Sequence, residues 1–286
     1  MKLKEVEIET HTVCNARCRY CAYPGMAKRV GSKLMSIELF DRILKELDFA
    51  RPDIERIHLH HVNEPLVRKD IADLVARARK AYPDKEVGFS TNAILMTPER
   101  AEAVLKAGLN LLYTTIPSSD PEAYSHIMGV KADVNRVIAN IAAFIEMAGP
   151  DVRIVVRSPL SFDQGLIDAL GHFDGITMEH VPLSSRLGAV EQDMLDASGG
   201  ITCSGAPAPC SKTWMLHSLV ILHEGDVPIC CNDQEHTCIV GDIRGQSIEA
   251  LWNSERFDEV RGWMMGKNRP DGIPCNICEY GCREGE

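Results

Sequence analysis

Cys14-Asn15-Ala16-Arg17-Cys18-Arg19-Tyr20-Cys21 follows an alternating apolar and polar stretch and sets three thiols at the spacing CxxxCxxC, with an aromatic residue just before the last. Three thiolates on one short loop cannot complete the four-ligand coordination of a structural zinc or of a closed iron–sulfur cluster. They can hold a cubane 4Fe–4S cluster with one iron open to a further ligand. The other reading is a zinc ion finished by a neighbour such as His11.

The chain of 286 residues contains 11 cysteines, and none lies between Cys21 and Cys203. Cysteines used as small core hydrophobes scatter along a chain, so clustering at both ends indicates a site at each end and a scaffold between. No apolar run approaches the length of a membrane span, and the opening MKLKEVEIET has no hydrophobic signal region. The expected location is the cytoplasm, where thiols point to metal binding rather than to a disulfide framework. With 31 Lys and Arg against 41 Asp and Glu, the formal charge of −10 leaves no broad basic surface for a phosphate backbone. Neither a nucleic acid nor a membrane is an expected partner.

The scaffold reads as alternating strands and helices. Strands are expected over 6–10, 56–61, 87–90, 111–116, 153–157 and 176–181. Between them, helices are expected over 37–47, 71–81, 97–108, 121–128, 134–147 and 163–170, with Ser36 as an N-cap and Thr97-Pro98-Glu99 as a capped, proline-led start. Six strands alternating with helices imply a parallel sheet whose ligand site lies at the C-terminal strand ends. After Pro182 the rhythm breaks. The expected organisation is a first domain over 1–183, a Ser/Gly/Ala/Pro-rich linker over 184–209 and a second unit over 210–286. In that unit, 214–223 and 227–230 around Glu224-Gly225-Asp226 read as a β-hairpin, and 247–252 and 255–265 as helices. His58 and His60 share one strand face and His61 takes the other, which suits packing or substrate contact better than metal ligation.

The cysteine loop after the first strand resembles that of the radical S-adenosylmethionine (SAM) enzymes, and the resemblance covers nearly the whole chain. It implies an α/β fold, a partial (β/α)6 TIM-like barrel, with Cys14, Cys18 and Cys21 holding a 4Fe–4S cluster whose open iron is chelated by SAM. It further implies reductive cleavage of SAM to a 5′-deoxyadenosyl radical that takes a hydrogen atom from the substrate. Asn63-Glu64-Pro65-Leu66 resembles the family's Gly-Glu-Pro motif for the SAM amino group, with Asn63 in place of glycine. Ser90-Thr91-Asn92 resembles the Thr-Asn-Gly segment near the SAM carboxylate and ribose, with Ala93 in place of glycine. By the same resemblance Tyr20 lies against the adenine and Arg157 meets the SAM carboxylate. A reductase such as flavodoxin or ferredoxin is the implied electron donor.

Cys210, Gly225, Cys230 and Cys275-Asn276-Ile277-Cys278 resemble the SPASM and twitch domains appended to radical SAM enzymes. The pattern closes with Cys275, Cys278 and Cys282, shorter than the full SPASM form, so the resemblance implies one auxiliary 4Fe–4S cluster held by Cys210, Cys230, Cys275 and Cys278. Cys231 and Cys282 are possible replacements, and a zinc knuckle is the alternative for the same thiols. The implied activity is oxidation of a small molecule such as an aminosugar or aminocyclitol, with Asp233 as the base. The alternatives are epimerisation with Cys231 as hydrogen donor, peptide maturation, and, from a different class, an iron–sulfur electron-transfer protein.

Overall fold

The computed structural model describes residues 1–201 and 208–281. In chain order the elements are β1 (Glu5–Ile8), α1 (Tyr23–Val30), α2 (Ile37–Glu46), β2 (Arg56–His58), α3 (Ile71–Ala81), β3 (Glu86–Thr91), α4 (Pro98–Lys106) and β4 (Leu111–Thr115). Then come α5 (Pro121–Met128), α6 (Val134–Met147), β5 (Arg153–Ser158), α7 (Gln164–Leu170), β6 (Ile176–His180) and α8 (Gln192–Ser198). The chain continues through β7 (Ser218–Ile221), β8 (Asp226–Pro228), β9 (Ile239–Asp242), α9 (Ile248–Trp252) and α10 (Glu255–Met264). Helix starts follow the expected capping chemistry: the Ser36 hydroxyl accepts from Leu39 N at 3.1 Å, and Ser254 does the same for Phe257 N at 3.2 Å.

Seven parallel strands form one sheet in the order β6-β5-β4-β3-β2-β1-β7. Among the described residues β6 and β7 do not pair with each other, so the barrel is partial. Val6, Ile8, Ile57, Val87, Phe89, Leu112 and Val156 face the helices and are fully buried. The alternate positions of β1 and β2 carry polar groups to the inner face, where Leu111, Tyr113 and Val155 add a small apolar cluster. There the register aligns Glu5 with Arg56 and Arg56 with Glu86. The Arg56 guanidinium accordingly bridges both carboxylates at 2.7 Å, and Arg153 adds to Glu86 at 2.8 Å.

Several expectations are corrected. The 214–230 segment is not a simple hairpin: 213–217 is a short 3-10 turn, and β7 joins the main sheet alongside β1. All four residues of β7 are buried, which suits a strand covered on both faces. The turn itself is present, with Leu222 N donating to Asp226 O at 2.8 Å, but β8 ladders with β9 instead. Strand β2 stops at His58, so alternation does not extend to His61. Helices α1 and α8 were not expected. Within 184–209, α8 packs Met194 and Leu195 with Leu183, Val190 and Ile127. Among the described residues no helix is long and apolar enough to cross a membrane.

Candidate active site

The cysteine loop is pinned at two backbone points. Arg17 N donates to Met128 O and Arg19 N to Ile127 O, each at 3.0 Å. The approach is close enough that a Cβ on Gly129 would lie 2.3 Å from Arg17 O, and Gly129 also takes a left-handed φ of 60°. Arg19 then ion-pairs with Glu191 and Asp193 at the start of α8, at 2.5 and 2.7 Å. Cys14, Cys18 and Cys21 are half-buried free thiols. Burial pushes the Cys14 thiol up to about 12, helped by Glu64 and Cys21. Burial also raises Cys18, with the charges of Cys21 and Cys14 adding to it, and raises Cys21. Three thiols that oppose one another's ionisation at the end of β1 are what a cationic metal centre relieves. They fit the three-cysteine cluster.

Three loops are tied together beside these thiols. Glu64 is buried; its Oε1 accepts from Leu66 N at 3.1 Å and Thr91 Oγ1 at 2.7 Å, and its Oε2 from Asn92 N at 2.8 Å. Burial raises the Glu64 carboxyl despite these donors. Asn92 in turn donates through Nδ2 to Asn15 Oδ1 in the cysteine loop at 2.8 Å. Ala93, where the family carries glycine, holds a left-handed φ of 57°, and Asn140 Nδ2 secures its carbonyl at 3.0 Å. Asn63 accepts from His61 N at 2.9 Å, while its buried Nδ2 has no partner among the described residues. Ser90 N donates to His60 Nδ1 at 3.1 Å, and the Tyr20 hydroxyl to Met128 Sδ at 3.1 Å. Arg157 pairs with Glu179 at 2.9 Å and lies over the Tyr113 ring at 3.8 Å.

The second group of thiols also converges. Cys230 feels Cys275 and Cys278, and Cys275 feels Cys278, Cys210 and Cys238. Burial is the main cause of the rise at each, taking Cys275 to about 12. Arg269 braces this unit through the carbonyls of Trp263 at 2.6 Å, Gly281 at 3.0 Å and Cys275 at 3.2 Å. These thiols fit a second cluster, with Cys238 nearby as a further sulfur. Among the described residues no three His, Cys, Asp or Glu side chains could share a single metal ion. A cubane, which takes each thiolate on a different iron, asks for wider spacing. Cys203 and Cys282 lie outside the described residues.

Inside the partial barrel lies a cavity of about 610 Å³. The barrel contributes Glu7, His58, His60, His61, Ser90, Tyr113 and Arg157, and the later segments add Arg186, Lys212, Trp214, Cys231, Gln234 and Tyr280. Glu7 Oε2 and His61 Nδ1 are 3.1 Å apart. Burial acts to raise the Glu7 carboxyl, but the hydrogen bond with His61, aided by the Arg186 charge, outweighs it and holds Glu7 below its usual value. Burial keeps His60 neutral by lowering it to about 4, and it lowers His58 well below its ordinary value. Cys231 does reach the cavity, and burial raises its thiol well above the ordinary value. Asp233 is placed differently. Its Oδ1 accepts from Thr237 N and Oγ1, and its Oδ2 from Cys238 N, all at 2.8 Å, so it fixes the 233–238 loop and does not line the cavity. Behind the Glu7–His61 pair, fully buried Glu9 pairs with His223 at 2.8 Å, and His236 stacks on His61 at 5.5 Å. Glu7, Arg186 and Lys212 escaped sequence reasoning; the alternation Glu5-Val6-Glu7-Ile8-Glu9 was the available signal for an acidic inner face.

The family model of the Radical SAM superfamily matches residues 8–162. The chain belongs to that superfamily. The SPASM model, an iron–sulfur cluster-binding domain, matches residues 210–283. This radical SAM enzyme is 21% identical over 276 residues to the S-adenosyl-L-methionine-dependent 2-deoxy-scyllo-inosamine dehydrogenase of Niallia circulans, covering 96% of this chain and 91% of the relative. It is 28% identical over 137 residues to the GTP 3′,8-cyclase of Aquifex aeolicus and 30% over 177 residues to a probable one of Methanosarcina mazei. Those matches cover 47% and 60% of this chain and about half of the cyclases' lengths, 42% and 51%. Among solved structures, BtrN in complex with AdoMet and 2-DOIA superposes with a TM-score of 0.66 at 18% identity, covering 98% of this chain and 93% of that one. SuiB of Streptococcus suis bound to precursor peptide SuiA gives 0.66 at 13% identity, covering 98% and 70%. The three-cysteine cluster, SAM and an iron–sulfur cluster in the C-terminal unit are therefore its cofactors.

Proposed function

We propose that this enzyme dehydrogenates a small polyhydroxylated or amino-substituted ring compound, of the aminocyclitol or aminosugar class. The observation that carries the reading is the cavity walled by both thiol-bearing units, with the Glu7–His61 pair in its side. The near full-length likeness to the inosamine dehydrogenase supports it. When bound, SAM and the clusters supply hydrogen-atom abstraction at the substrate carbon and take up the electron left after deprotonation. The chain's own part is positional and protic. Glu7, held as a carboxylate against His61, accepts the proton from the substrate O–H or N–H, replacing Asp233 in that role. Arg157 and Tyr113 form an opposite wall, and Trp214 and Tyr280 add aromatic lining. Cys14, Cys18 and Cys21 hold the SAM-binding cluster, and Cys210, Cys230, Cys275 and Cys278 the auxiliary one, with flavodoxin or ferredoxin as electron donor.

A second reading, epimerisation, is favoured by one observation: the Cys231 thiol opens into the same cavity, where it can return a hydrogen atom to a carbon radical. The deciding experiment incubates reconstituted, reduced protein with SAM and 2-deoxy-scyllo-inosamine in heavy water. Dehydrogenation yields a ketone and 5′-deoxyadenosine in equal amounts, and Glu7→Gln lowers the rate by roughly 10²–10⁴. An isomer carrying solvent deuterium, with Cys231→Ala abolishing its formation, replaces the first reading by the second. Without 5′-deoxyadenosine formation on this or related ring compounds, the substrate class is wrong.

A further inference from the structure

We propose that Asn232 raises the reduction potential of the auxiliary cluster by donating a hydrogen bond to Cys278, and that Arg186 fixes and polarises that donor from the cavity wall. Asn232 is 1% exposed. Its Nδ2 lies 3.4 Å from Cys278 Sγ, and its Oδ1 lies 2.8 Å from Arg186 Nη1. The direction of the amide follows from chemistry alone. A guanidinium can only donate, so the carbonyl oxygen must face Arg186, and the NH2 must face the sulfur. The Ser184 hydroxyl, 3.4 Å from the same oxygen, supplies a second donor on that side.

Arg186 is held in place at some conformational expense. It and Leu187 adopt left-handed φ angles of 50° and 62°, a region that disfavours residues with a Cβ. The turn is anchored by Ser185 N donating to Glu279 Oε1 at 2.9 Å, next to Cys278 in sequence, and by Gly188 N donating to Ser185 Oγ at 3.1 Å. Arg186 thus spans from the cavity, where it lies near Glu7 and Cys231, to the amide that touches the cluster ligand.

One-electron reduction adds negative charge that is spread partly onto the ligating sulfurs. A hydrogen bond to such a sulfur stabilises the reduced form more than the oxidised form and moves the potential upward. The positive charge at Oδ1 polarises the amide and strengthens its N–H. The inference rests on Cys278 being a ligand and is independent of which substrate reaction the enzyme performs.

The test is an EPR-monitored redox titration of the reconstituted full chain with mediators and dithionite, SAM absent. The auxiliary signal is assigned in a Cys14→Ala/Cys18→Ala/Cys21→Ala variant. Asn232→Leu is expected to make the auxiliary midpoint more negative and leave the three-cysteine cluster where it was. Asn232→Asp, which removes the donor and adds charge, shifts it further the same way. Arg186→Gln, which leaves Asn232 in place, gives a smaller negative shift and serves as the reading if the Asn232 variants fail to fold. An unchanged auxiliary midpoint at full iron content, or equal shifts of both clusters, overturns the proposal. Retention of both clusters in Cys278→Ala overturns it together with the ligand assignment, whatever the outcome with ring substrates.

Discussion

Gly129→Ala isolates what holds the SAM-binding cysteines in place. The new methyl carbon would sit 2.3 Å from Arg17 O, 2.9 Å from Arg17 C and 3.0 Å from Arg17 Cβ, and the residue would keep a left-handed φ of 60°. The left-handed conformation costs about 1–2 kcal/mol. Relieving the clash means lifting the loop, which gives up the Arg17 N–Met128 O and Arg19 N–Ile127 O hydrogen bonds at about 1 kcal/mol each. The total is about 3–4 kcal/mol, a fall of roughly 5–7 °C in the melting temperature of the apoprotein measured anaerobically. Because the loop carries Cys14, Cys18 and Cys21, reconstituted iron should drop from about eight to about four per chain. Gly199→Ala is the control. Gly199 has the same left-handed conformation, with φ 62° and ψ 41°, but nothing within 4 Å of the added carbon, so it loses only the conformational part and keeps full iron. Equal behaviour of the two variants would refute the idea that close approach at Gly129 positions the loop.

Stability should fall as pH drops from about 6.5 toward 4. Burial lowers His11, His60 and His236 to about 4 and lowers His58 well below its ordinary value, so these four stay neutral in the folded chain but protonate near 6.5 when unfolded. The unfolded state then binds more protons across that window, at up to about 1.4 kcal/mol per pH unit for each histidine. Denaturant titrations of the apoprotein at pH 7.5, 6 and 5 measure this, and a flat profile contradicts the buried neutral assignment. Glu64→Ala strands the Leu66 and Asn92 amides and the Thr91 hydroxyl inside the protein, a loss of about 2–4 kcal/mol. It should also abolish the change that SAM makes in the EPR spectrum of the three-cysteine cluster. Full SAM perturbation in that variant would show that Glu64 only braces the loops.

The scaffold was legible because hydrophobic period and capping residues are local. Helices α2 and α4 begin at the signals expected for them, Ser36 and Thr97-Pro98, and α3, α5, α6 and α7 lie within their expected ranges. Helix α1 was not, since Ala22 at its N-cap gives no side-chain signal and its start is set by the cysteine loop before it. Strand β7 was misread for a related reason. The run Ser218-Leu219-Val220-Ile221 is apolar enough for either a hairpin or a sheet interior, and only the free edge of β1 decides between them.

The cysteine spacing by itself pointed to a three-thiol site on one loop, because Cys14, Cys18 and Cys21 lie a few positions apart, whereas the auxiliary set spans Cys210 to Cys278 and was expected only from the resemblance to a known domain. The tertiary structure decided everything that depends on convergence of distant segments. It drew Asp233 into a loop brace and brought Cys231 to the cavity, although the two are separated by one residue. It set Glu7 against His61 from a neighbouring strand end, and joined Arg186 to Cys278 through Asn232. No periodicity encodes such pairings: each depends on register between strands and on how the cysteine-rich unit packs against the barrel, which only the folded chain specifies.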